Sequence, residues 1–71
     1  MRETNQLVRI GEMLALGDLV RAEHVDDAAL HEHVRCAAER YFESSVSEDE
    51  LAAVIEGYEV ERSAMERRVA T

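Results

Sequence analysis

Among the 71 residues, the densest grouping of chemistry-bearing side chains is His24, His31, Glu32, His33 and Cys36. Imidazole, thiolate and carboxylate are ligands for transition metals such as zinc. On a helix, His33 and Cys36 stand three apart and share a face, and Glu32 and Cys36 stand four apart. His24 precedes that helix and could fold over it. The stronger zinc spacings, paired Cys-x2-Cys or His-Glu-x-x-His, are absent. His31 and His33 point roughly 200° apart on an ideal helix. A metal would therefore need ligands from another helix or another subunit, as in an oligomeric metal-binding bundle. His33 and Cys36 stand as weak metal candidates only, and no cofactor is expected. The plainer reading exposes His31 to solvent, sets His33 at the border of the core and makes Cys36 a small apolar residue.

Nucleophilic and redox chemistry find less support. Cys36 is the lone cysteine, which excludes an internal disulfide and agrees with a reducing compartment. It has no Cys-x-x-Cys partner, and its nearest histidine is on its own helix. Ser44, Ser45, Ser47 and Ser63 fall in turn, cap or surface contexts. No glycine-rich loop is present to cradle a phosphate. No Asp-Ser-Leu-like turn is present to carry a phosphopantetheine arm. Paired carboxylates abound, but exposed ion pairs such as Arg35–Glu39 are worth only a few tenths of a kcal/mol. The expectation is a protein that is not an enzyme.

The elements that carry these residues are helical. The chain is 46% apolar and 34% charged, without proline, lysine or tryptophan. At this length one domain over residues 1–71 is expected, burying only about 60% of the surface of the unfolded chain. Ser47-Glu48-Asp49-Glu50 reads as a capping box, with Val46 and Leu51 as its hydrophobic staple. Asp26 repeats the logic as a cap, with Val25 and Leu30 at the staple positions. Acidic residues in both first turns complement the helix dipole. Helices are predicted near residues 5–23, 26–44 and 47–69, giving an all-α small three-helix bundle.

Leu30, Val34, Ala37 and Tyr41 form an apolar stripe on the second helix, widened by Ala38 and Phe42. The third opens with Leu51, Val54, Ile55 and Tyr58, then thins beyond Gly57 to Met65 and Val69. The first helix is apolar around more than half its circumference. It is either the central helix of the bundle or pairs with a second copy; a homodimer is expected, with Leu7, Ile10, Leu14 and Val20 as the oligomer interface. Gly11 and Ala15, four apart, would let another helix approach closely. Gly17 marks either a close-packing point or an early helix end.

Charge bears on partners. Sixteen acidic residues against eight arginines leave a net charge of −8. This balance repels phosphate backbones and anionic membranes, so neither nucleic acid nor membrane is an expected partner. A DNA-binding regulator would need a basic recognition helix, which the sequence lacks. No apolar run approaches the roughly 18 residues of a membrane span, and the first residues lack the zones of a signal peptide, so a cytoplasmic location is expected. The function expected is a non-catalytic protein-interaction module that binds a macromolecular partner and inhibits or regulates it. Its acidic strip, Glu32, Glu39, Glu43, Glu48 and Asp49, would face a basic surface on another protein. Small inhibitors encoded by phages or mobile elements, anti-CRISPR proteins among them, share this size and acidity, an analogy carried by no motif. A structural or co-chaperone subunit of a larger assembly is the alternative, using the apolar surface of the first helix.

Overall fold

The computed structural model describes residues 2–21 and 25–70. Three helices, α1 (Thr4–Val20), α2 (Asp27–Phe42) and α3 (Glu48–Ala70), form the expected three-helix bundle, with no strand among the described residues. The capping box at α3 forms: Ser47 Oγ accepts the Glu50 N–H at 3.2 Å, and Glu50 Oε1 accepts the Ser47 N–H at 3.1 Å. Asp26 occupies the N-cap of α2, but its side chain makes no capping hydrogen bond. Its carbonyl instead accepts the Ala29 N–H at 2.9 Å, so the backbone closes that turn.

Two helices end earlier than expected. α2 stops at Phe42 because Glu43 turns left-handed, with φ of 55°. The Ser44 N–H then returns to the Glu39 carbonyl at 3.3 Å, a helix end usually built on glycine. α1 continues through Gly17 and stops at Val20, with Arg21 donating its N–H to the Gly17 carbonyl at 3.1 Å. Residues 22–24, His24 among them, lie outside the described residues.

α1 and α3 run in the same direction, Arg2 pairing with Glu50 and Val8 meeting Gly57 further along. They touch backbone to backbone. A Cβ on Gly11 would lie 1.9 Å from the Val54 carbonyl oxygen, and one on Gly57 would lie 1.9 Å from that of Val8. Buried Ala15, four residues after Gly11, and buried Ala53, four before Gly57, extend each helix's small-residue edge. Interaxial distance follows the size of the side chains at the contact, so these edges bring the two helices unusually close. α2 packs far less closely on either of them.

This close crossing corrects the expected oligomer interface. Leu7 and Ile10 share the side of α1 that turns toward the bundle, and they are 0% and 5% exposed. Leu14 is partly buried against the core formed around Leu7, Val34, Leu51 and Val54. Of the four expected interface residues only Val20 is open, at 85%. Among the described residues no helix is long and apolar enough to cross a membrane.

Candidate functional site

Two buried carboxylates organise the polar chemistry. Asp18 sits on the inner side of α1, one turn beyond the Gly11–Ala15 edge, and accepts hydrogen bonds from every element near it. The Tyr58 hydroxyl of α3 donates to its Oδ2, and His33 Nε2 of α2 lies 2.8 Å from the same oxygen. Arg21 Nη2 donates to Oδ1 at 2.7 Å. One side chain thus ties all three helices. Burial pushes the Asp18 carboxyl up, but the bonds from Tyr58, His33 and Arg21 outweigh it and hold the group below the usual carboxylate value. The His33 and Tyr58 rings meet edge to face, 6.2 Å between centroids.

Glu50 does the corresponding work near the start of α3. Besides the Ser47 N–H, it accepts the backbone N–H and Nη1 of Arg2, both at 3.0 Å. The Ser47 and Arg2 backbone bonds lower its carboxyl to about 2. Arg2 Nη2 also donates to Ser44 Oγ at 2.6 Å, and its guanidinium lies 3.9 Å over the Phe42 ring. Arg2 thereby joins the segment before α1 to the C-terminal end of α2.

An acyl-transfer site needs a nucleophile beside a base that a third group orients. Asp18 and His33 form the oriented pair, with His33 lining an open cleft. The Asp18 oxygens are engaged by three donors, and the open cleft beside it, lined by Leu14, His33, Arg40 and Tyr41, contains no serine, threonine or cysteine.

The metal candidates diverge. His33 turns inward to Asp18, whereas Cys36 is exposed and its Sγ lies 3.5 Å from Glu32 Oε1. Helical spacing places the pair on one side of α2, but the inward pull of Asp18 and the outward Glu32 separate them. Among the described residues no three His, Cys, Asp or Glu side chains are grouped to hold a metal ion.

The acidic strip is also divided. Glu32 is held by Arg35 through two hydrogen bonds, one of them Nε to Oε2 at 3.0 Å. Glu39 is half-buried, accepting Arg35 Nη1 at 3.3 Å and the Val46 N–H at 3.2 Å. Glu39 therefore supports the α2–α3 connection. Glu43, Glu48 and Asp49 are exposed, Glu48 lying 3.4 Å from His31.

The exposed surface that stands out is apolar. Met13, Leu16, Leu19 and Val20 are 45%, 45%, 53% and 85% exposed, and Tyr41 of α2 lies alongside Met13. Met13, Leu16 and Val20, three and four residues apart, lie on the side of α1 opposite the Leu7–Gly11–Ala15 edge that faces α3. Sequence reasoning included them in the broad apolar surface of α1 without separating outer from inner residues. The Gly11–Ala15 spacing held that signal, because it marks the side taken by another helix.

No family model, curated protein or solved structure matches this chain.

Proposed function

We propose that this chain is a cytoplasmic, non-catalytic protein-interaction module. It docks on another macromolecule through the outer strip of α1 and inhibits or regulates it, in the manner of small phage or mobile-element inhibitors such as anti-CRISPR proteins. The observation that carries this reading is the exposure of Met13, Leu16 and Val20 on a helix whose opposite face is already consumed by α3. Covering half-exposed aliphatic side chains gains on the order of 1 kcal/mol each. A net charge of −8 keeps the surface soluble and favours encounter with a partner that surrounds its apolar site with cations.

Pull-down from the source cell's lysate, controlled with untagged competitor and washed at low salt and at about 1 M NaCl, tests this reading. One stoichiometric partner should survive both washes and be lost with Leu16→Glu. Capture unchanged by Leu16→Glu would reject the strip as the docking face. A permanent subunit of a larger assembly would use the same strip and differ in co-purifying without added bait.

A further inference from the structure

We propose that the cleft between α1 and α2 binds a small organic acid, its oxyanion held at Arg40 and His33 and its apolar body lying on Leu14, Ala37 and the Tyr41 ring. The cleft adjoins the docking strip at Tyr41, but the proposal is independent of that reading.

The space follows from the way α2 is held. α1 and α3 touch backbone to backbone, whereas α2 stands off from α1 on side chains, and short Ala37 leaves room between Leu14 and Tyr41. The resulting cleft is about 620 Å³, within the range of small-molecule sites. Leu14 and Ala37 are half-buried and Tyr41 is exposed, so a bound apolar group would cover surface now open to water.

The polar groups of the lining suit an acid. Asp18 is held ionised and only accepts, so His33 donates its Nε2–H there at 2.8 Å, leaving Nδ1 to share a proton with a bound acid. Asp18 and Arg21 offset one another in a 2.7 Å ion pair. Arg40 is exposed and forms no ion pair with a described residue. The negative pole of α2 favours a cation in this last turn but does not choose its side. Arg40 follows His33 by seven residues and Ala37 by three, which sets it on the wall of the cleft. Of the carboxylates near it, Asp18 is engaged by three donors and Glu39 by Arg35 and the Val46 N–H, and Glu43 lines a separate hollow. The lining thus carries excess positive charge in a chain of net charge −8. At physiological salt, charges beyond about 8 Å are largely screened, so the lining decides what binds and the chain total does not. Guanidinium pairs well with carboxylate and phosphate oxygens, and the Tyr41 ring favours a flat apolar body.

NMR titration of the full chain at neutral pH and fixed ionic strength, with phenyl phosphate, benzoate and phenol, tests the proposal. At least one of the two acids should saturate with a Kd on the order of 1 mM, shifting the His33 ring and the Ala37 and Arg40 amides, with phenol about tenfold weaker. Tighter phenyl phosphate would assign a phosphate ester, and tighter benzoate a carboxylate. Arg40→Gln, at an exposed position, should keep the helical circular dichroism and bind the acid about tenfold more weakly. Arg9→Gln, on α1 outside the cleft, should bind as wild type. No saturable shift with either acid up to about 20 mM overturns the proposal, as does phenol binding as tightly as the acids. Unchanged binding in Arg40→Gln, or an equal loss in Arg9→Gln, overturns it too.

Discussion

Glu50 and Asp18 are buried carboxylates whose ionised forms the fold prefers, so each makes stability depend on acid. Glu50 falls from an ordinary 4.5 to about 2, and Asp18 is also lowered. A depressed carboxyl contributes its stabilisation fully above the unfolded value and loses it as pH falls through the folded one. Helical circular dichroism should therefore hold at neutral pH, and thermal stability should fall between about 4.5 and about 2. A Glu50→Gln, Asp18→Asn double variant should start less stable at neutral pH and lose less over that interval. Undiminished acid sensitivity in the double variant would remove both groups from the account. The two sites differed in legibility. Ser47 and Glu50 are three residues apart, and a cap of that spacing can be read locally. Asp18 finds His33 and Tyr58 at separations of 15 and 40 residues, which no local spacing reveals.

At the scale of the element, the three glycines are not equivalent. Alanine at Gly11 or Gly57 must force α1 and α3 apart, because its Cβ would strike backbone and not a flexible side-chain end. Overpacking of this kind costs about 1–3 kcal/mol and more where backbone must move. Gly17→Ala should stabilise the protomer by about 0.5–1 kcal/mol, since it only improves helix propensity. Thermal melts of the three variants at low concentration should show two losses and one gain. Equal losses at all three would mean that the close α1–α3 crossing is not what holds the bundle. The existence, order and approximate ends of the helices were legible because periodicity and caps are local. Which side of α1 faced inward was not, since its apolar residues outnumber those one neighbour can cover. Only the paired edges of Gly11–Ala15 and Ala53–Gly57 determine it, and they lie on separate helices. The same ambiguity placed Leu7 and Ile10 at a protomer surface, when their burial supplies the core.

In the molecule as a whole, adhesion is unevenly distributed. α1 and α3 share a backbone-level contact, while α2 is held by the side chains of Leu30, Val34 and Ala38 and by polar ties: Asp27 and the Val25 carbonyl to Arg62, His33 to Asp18, Glu39 to the Val46 N–H, and Arg2 stacked on Phe42. Such a helix can detach without dissolving the remaining pair. Native-state hydrogen exchange should therefore divide the chain into two cooperative units. Amides of α2 should exchange through a partial opening that needs little denaturant, and those at the centres of α1 and α3 only through global unfolding. A single exchange free energy across all three helices would show instead that α2 opens only with the rest. If the units separate, Asp18 and Tyr58 keep each other after His33 leaves, and the detached α2 carries Tyr41 away from Met13. The outer strip would then run on into the vacated side of α1, adding Leu14 to the apolar face available to whatever binds it.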